Sequence, residues 1–192
     1  MVDRFKNTLR RSCQQVRANL PPAYQKAASA QVCARVRSLE PYRYAKRIAL
    51  YHADNGEINL KDLWNSAPLQ GKFCYFPVLN EENKTLLFLP ATPATAFSKN
   101  RYGIAEPNVD RSQALAPKQI DLIFVPLVLF DNYGTRLGRG AGYYDRTLAQ
   151  EEHPMLIGVA YEFQRYPYLQ PQAWDIPLTA VVTQSNVYWS KK

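Results

Sequence analysis

The 192-residue sequence has no apolar stretch near the roughly 20 residues that cross a bilayer. Met1 opens a charged segment without the apolar centre of a signal peptide, so a soluble, cytoplasmic chain with no membrane partner is expected. Cysteine is scarce: Cys13, Cys33 and Cys74 are odd in number, widely spaced and never C-x-x-C. That pattern argues against a disulfide framework and zinc spacings, leaving reduced thiols packed as small apolar groups. Neither G-x-x-x-x-G-K-S/T nor G-x-G-x-x-G occurs, so the two common nucleotide fingerprints are missing. Acidic residues are nearly missing from positions 1–47. There Asp3 and Glu40 stand against 11 Lys and Arg, a net of +9 that leaves the rest of this +8 chain at −1. Such a segment suits nucleic acid, an anionic membrane face or a small polyanion such as a nucleotide, and charge alone does not choose.

What is present is enough apolar mass, 46% of residues with 13 Tyr and 8 Phe, to close a core. A chain of this length buries roughly 70% of its unfolded surface, so a single domain over 1–192 is expected, with no internal repeat. Phe5, Leu9, Val16 and Leu20 recur near helical spacing beside a basic stripe of Lys6, Arg10 and Arg17. An amphipathic helix over 3–20 follows, then a second from Pro21 and Pro22 through an Ala-rich body. From Arg47 the pattern changes to short runs: "RIALYHA", "KFCYFPVL" and "TLLFL" read as strands, with a short helix at "INLKDLWN" completing a βαβ unit. "DLIFVPLVLF" reads as a strand covered on both faces, although Pro126 argues that it ends or bulges there. "YYDRTLAQEEH" reads as a helix, and "PMLIGVAYEF" and "TAVVT" as further strands. The alternation predicts an α/β fold, a Rossmann-like three-layer sandwich with a mostly parallel sheet and an N-terminal helical pair. The loops at 90–117 and 164–178 are long enough to suggest function.

Between the buried strand and the next helix lies "FDNYGTRLGRGAGYYDRTL", with Gly138, Gly140 and Gly142 at alternate positions. Glycine admits positive φ and brings backbone N–H groups close to a ligand, and a following helix start favours an anion. Arg136 and Arg139 add bidentate donors for phosphate oxygens. Asp145 can hold Mg²⁺ on a bound triphosphate or simply complement the helix dipole.

The same stretch closely resembles the signature of the 5-formyltetrahydrofolate cyclo-ligase family, approximately F-D-x-x-G-x-R-L-G-x-G-x-G-Y-Y-D-R. "KNTLR", "EI" at Glu57, "GIAEP" from Gly103, "GVAYEFQ" from Gly158 and "WDIPLTAVVT" agree in the family's order over nearly the whole chain. The resemblance implies an ATP- and Mg²⁺-dependent ligase that closes 5-formyltetrahydrofolate to 5,10-methenyltetrahydrofolate, its partners being those two substrates and its state monomeric. It implies that Lys6 and Arg10 contact ATP phosphate, and that Arg136, Leu137, Gly138, Arg139, Gly140, Ala141, Gly142, Tyr143 and Tyr144 form the ATP loop. Catalysis is carried over to Arg139 and Lys6, with Arg139 facing the transferring phosphoryl group. Folate contacts are carried over to Arg10, His52, Glu57, Tyr102, Arg139, Gly140, Gly142 and Tyr143. Glu57 would accept from the pterin 2-amino and ring N–H edge, and Tyr102 and Tyr143 would stack. Asp145 and Asp175 correspond to metal carboxylates. The sequence departs from the family at Ala141, at Trp174 where His is frequent, and at Gln184 where Glu is frequent. A basic RNA-binding module, or a relative with a changed substrate, are the competing readings.

Overall fold

The strand Leu122–Pro126 shows how the core is divided. Leu122 and Phe124 enter one hydrophobic cluster while Ile123 and Val125 enter another, the two-residue period of a strand covered on both faces. The computed structural model describes residues 4–149 and 154–191. Its first half comprises α1 (Arg4–Ala18), α2 (Pro22–Ser38), α3 (Glu40–Tyr44), β1 (Arg47–Ala49), α4 (Lys61–Ser66), β2 (Phe73–Asn80) and β3 (Thr85–Pro90). There follow β4 (Phe97–Lys99), β5 (Ala105–Pro107), β6 (Leu122–Pro126), β7 (Leu129–Phe130), β8 (Arg136–Leu137), α5 (Tyr143–Leu148), β9 (Met155–Val159), β10 (Ala180–Val182) and β11 (Val187–Trp189).

The main sheet runs β11-β10-β9-β6-β1-β2-β3, parallel throughout except for antiparallel pairs at its two edges. Val32 and Val36 of α2, Tyr42 of α3 and Leu63 of α4 pack against Ile48, Leu122 and Phe124 on one face. Leu148 of α5 packs with Ile123, Val125 and Phe88 on the other, so the α/β three-layer sandwich is as expected. From β1 the chain steps to β2 on one side, whereas β6 steps to β9 on the other. Strand order therefore reverses between β1 and β6, and the crevice beyond the carboxyl ends of such a strand pair is where α/β sheets bind ligands. No helix among the described residues is long and apolar enough to cross a membrane.

Several elements depart from the sequence reading. The inward side of α1 is Leu9, Cys13 and Arg17, while Phe5 and Val16 stay exposed. Arg17, expected on a basic surface stripe, is 1% exposed, because docking against β6 and the β1 loop selects the face it shares with Cys13. The expected strand over 121–130 divides at Pro126: β6 ends there, and β7 leaves to pair with β8. Proline has no N–H to continue the ladder. β1 stops at Ala49, so Leu50 to Ala53 belong to the connection, where the Tyr51 hydroxyl donates to Ile58 O at 2.7 Å. Of the helix expected over 143–153, α5 covers Tyr143–Leu148, and positions 150–153 lie outside the described residues. The long loop at 90–117 holds the β4–β5 hairpin, which the sequence reading missed.

Candidate active site

Two loops meet at the β1–β6 crevice. One, residues 50–60, follows β1; the other, residues 138–142, follows the β7–β8 hairpin that β6 feeds. Arg139 joins them: Nη1 donates to Asp54 Oδ2 at 2.8 Å and Nη2 to Glu57 Oε1 at 2.9 Å. Glu57 is 8% exposed, and Asp54 N donates to its Oε2 at 3.1 Å. Burial pushes the Glu57 carboxyl above its ordinary range, and Arg139 and Arg17 oppose that rise. Asp54 was not among the expected site residues; its signal was a carboxylate three positions before Glu57, which is common in any loop.

The glycine loop is braced from α1. Arg10 Nε donates to Gly138 O at 2.9 Å and its Nη1 to Asn7 Oδ1 at 2.7 Å. One turn earlier, Lys6 Nζ donates to Gln170 O at 2.7 Å, tying α1 to the loop at 164–178. Gly140 and Gly142 have φ of 103° and 66°, backbone that L side chains rarely adopt. Ala141 is exposed between them, and its carbonyl accepts from Arg146 Nη2 at 2.7 Å. Leu137 is buried in the core, which leaves only its main chain for a ligand. A six-residue α5 adds little macrodipole, so any anion held here would depend on loop N–H groups and the flanking cations. Burial drives the phenol of Tyr144 well above its usual range.

Arg136, expected beside phosphate, is committed inward. Its Nη2 donates to Asp145 Oδ1 at 2.7 Å and its Nη1 to the carbonyl of Ile176, with only 5% of the side chain exposed. Ile176 N donates to the same Asp145 oxygen at 3.2 Å, which brings the neighbouring Asp175 toward Asp145. Asp175 Oδ2 accepts from Gln172 N at 2.9 Å. Asp145 Oδ2 and Asp175 Oδ1 accept no hydrogen bond among the described residues, so each carboxylate retains one oxygen donor. Hard carboxylate oxygens such as these fit Mg²⁺, which ordinarily completes its shell with water and phosphate oxygens.

His52 lies in an aromatic box, stacked on Phe76 with ring centroids 4.8 Å apart and edge-on to Phe97 and Trp64. Its Nε2 is buried with no hydrogen-bond partner, and desolvation lowers its pKa. Tyr102 stands at the tip of the β4–β5 hairpin, 55% exposed; Asn100 Oδ1 accepts from its N at 2.9 Å. The hairpin is pinned to β2 by Glu106 Oε1, which accepts from Leu79 N at 2.9 Å. The Tyr102 hydroxyl accepts from Arg101 Nη2 at 3.1 Å, and the nearby Tyr143 hydroxyl together with Arg101 holds the Tyr102 phenol below its usual value. Of the departures from the family pattern, Trp174 is exposed, and Gln184 is structural: its Oε1 accepts from Glu162 N at 3.0 Å.

The model of the 5-formyltetrahydrofolate cyclo-ligase family matches residues 2–184. The chain belongs to the 5-formyltetrahydrofolate cyclo-ligase family. The Haemophilus influenzae 5-formyltetrahydrofolate cyclo-ligase is 40% identical over 173 residues, 88% of this chain and 92% of that one. The Escherichia coli K12 enzyme of the same name is 37% identical over 177 residues, 91% and 97% of the two chains. Among solved structures, Aquifex aeolicus 5,10-methenyltetrahydrofolate synthetase superposes with a TM-score of 0.84 at 34% identity, covering 97% of this chain and 93% of that one. A 5,10-methenyltetrahydrofolate synthetase from Mycoplasma pneumoniae gives 0.74 at 27% identity, covering 93% and 98%. The span matched by the family model contains every site residue named above, all of which lie between Lys6 and Gln184.

Proposed function

We propose that this protein uses ATP with Mg²⁺ to convert 5-formyltetrahydrofolate into 5,10-methenyltetrahydrofolate, releasing ADP and phosphate. One observation supports the reading most: Arg139 of the glycine loop and Glu57 of the β1 loop form an ion pair, so the group proposed to meet phosphate touches the group proposed to meet the pterin. Two substrates bound at those loops would meet at that point. The formyl oxygen attacks the γ-phosphorus, ADP leaves, and an iminium phosphate results. N10 then adds to the activated carbon, its proton leaves with the departing phosphate or to solvent, and the carbon–oxygen bond breaks to release phosphate.

Loop N–H groups from Gly138 to Gly142, with Lys6 and Arg10, hold the triphosphate in this scheme. Arg139 moves from the carboxylates onto the transferring phosphoryl group and stabilises the charge that develops there. Arg136 acts from behind, fixing Asp145 so that its second oxygen faces the metal position with Asp175. Bound Mg²⁺ would neutralise phosphate charge. Glu57 accepts from the pterin amino and ring N–H edge, the His52 box lines the ring, and Tyr102 and Tyr143 stack over it. Both substrates are polyanions, in keeping with the basic N-terminal region. Part of that basic charge is tied into the fold, which weighs against an RNA-binding surface: Arg10, Arg17 and Arg35 donate to main-chain carbonyls of other segments in buried or partly buried bonds. A cytoplasmic monomer needing no further partner is part of the proposal. The test is to mix purified protein with 5-formyltetrahydrofolate, ATP and Mg²⁺ and follow the near-ultraviolet absorbance of the methenyl product. ATP-dependent product formation is expected, and its failure with folded, metal-replete protein would refute the activity.

A further inference from the structure

Arg17 is given no part in the proposed reaction, yet it is among the most deeply buried charges of the described residues. Its side chain is 1% exposed, Nε donates to Asn55 O at 3.0 Å, and Nη1 donates to Leu127 O at 3.1 Å. Those carbonyls lie beyond the ends of β1 and β6, the two strands between which the strand order reverses. Nη2 has no hydrogen-bond partner and stands 3.6 Å from Glu57 Oε1. Between Asn55 and Glu57, Gly56 has φ of 72°, and a Cβ there would lie 2.7 Å from the carbonyl oxygen of Arg17. The loop thus lies directly on the α1 backbone at this residue.

A buried guanidinium with one nitrogen unbonded is a costly way merely to fill space, because well-packed apolar groups serve as well or better. Its position explains its retention. Two cations face Glu57 among the described residues: Arg139 from the glycine loop and Arg17 from α1. The remaining titratable groups around it are phenols, Tyr51 from the β1 loop, Tyr144 from α5 and Tyr161 beyond β9, each held neutral by burial at ordinary pH. Asp54 contributes a main-chain N–H, and its own carboxylate is turned to Arg139. Arg139 has 37% of its side chain exposed and, in the proposed reaction, is drawn onto phosphate. Once it leaves, Arg17 is the remaining cation against Glu57.

We infer that Arg17 is a positioning residue for folate recognition: it clamps the 54–57 loop and stays behind as the fixed counter-ion of Glu57 when Arg139 turns to the nucleotide. This rests on the reading of Glu57 as the pterin acceptor. It gives the two arginines separate duties, one mobile and shared between substrates, the other immobile and dedicated to the carboxylate.

The experiment is a double-mutant cycle read by direct binding of 5-formyltetrahydrofolate, with a nonhydrolysable ATP analogue titrated in parallel. R17Q, which removes the charge, is expected to weaken folate binding at least tenfold, with the loss growing as pH falls and Glu57 takes up a proton. R17K keeps a charge but not the three-way fork, and should lose three- to tenfold; it carries the test alone if R17Q does not fold. Analogue affinity should stay within twofold in both. Beside E57Q, either Arg17 substitution should add less than twofold, because its effect passes through that carboxylate. Unchanged folate affinity in the Arg17 variants, equal loss of both ligands, or a loss undiminished beside E57Q would overturn the inference while leaving the activity standing. Unchanged folate affinity in E57Q alone would overturn the pterin assignment and this inference with it.

Discussion

Arg139 and Glu57 lie 82 positions apart in the chain and touch at 2.9 Å. One guanidinium thereby stands between the loop suited to phosphate and the carboxylate suited to a pterin. In the structure it lies on the carboxylate side, and the proposed chemistry requires it on the other.

Arg139→Ala should therefore act chiefly on kcat, which is expected to fall on the order of 10²–10³, as when one preorganised donor to a developing anion is removed. Steady-state kinetics at varied ATP decide it. A rise in KM alone would show that Arg139 binds without stabilising the transferring group.

In the proposed reaction Asp54 would compete with phosphate for the Arg139 guanidinium it holds at 2.8 Å. The pair is half-exposed, 37% on Arg139 and 49% on Asp54, so it contributes no more than about 1 kcal/mol after screening by solvent. Asp54→Asn should tighten binding of a nonhydrolysable ATP analogue about two- to fivefold. The gain should shrink as salt is raised, and calorimetric titration at two ionic strengths would register both effects.

Asp145 and Asp175 should separate under substitution. Asp145→Asn breaks the buried contact with Arg136 and is expected to cost about 3 kcal/mol of stability even in chelator, because an arginine with 5% exposure loses its counter-charge. Asp175→Asn removes only a local acceptor for Gln172 N, so the melting temperature should hold while more Mg²⁺ is needed for half-maximal rate. Melting curves with and without chelator, beside Mg²⁺ titrations of activity, distinguish the two.

Gly56→Ala should destabilise by about 1–3 kcal/mol from its φ of 72° alone, and by more because Cβ would strike the Arg17 carbonyl. Gly138→Ala meets nothing within 4 Å and should leave thermal stability near that of the parent. Differential scanning calorimetry of the pair tests the asymmetry, at roughly 2–4 °C for each kcal/mol in a domain this size.

The thiols are predicted to stay silent. Burial pushes Cys13 and Cys33 up to about 11 and Cys74 up to about 12, so native protein at pH 8 should leave a disulfide reagent unreacted until it is unfolded. The unfolded chain gives up these protons from the ordinary value of 9.0, below the folded values. Their contribution to stability is thus fully present below pH 9.0 and is lost as pH rises toward 11 and 12. Urea midpoints at pH 8 and pH 10 should show the decline.

Local patterns determined much of this protein. The unbroken apolar run before Pro126 specified a strand covered on both faces, and the proline specified its end, because both follow from side-chain period and a missing N–H. The glycine spacing and the family signature pointed to the glycine loop and Glu57 as candidate site groups from local pattern alone. Only the tertiary structure decided which cation serves which carboxylate. Arg17 and Arg10 share a stripe in the sequence, yet docking of α1 buries the first against Leu127 and Asn55 and leaves the second on the glycine loop. Arg136 of β8 and Arg139 of the glycine loop are three positions apart, yet one turns inward to Asp145 and the other to Asp54 and Glu57. Helical and strand periods report which face a residue shares with its neighbours. The strength of a charge pair depends on burial and on distances of a few ångströms across 80 or more positions of chain, and those are set when the β1 and glycine loops are packed together.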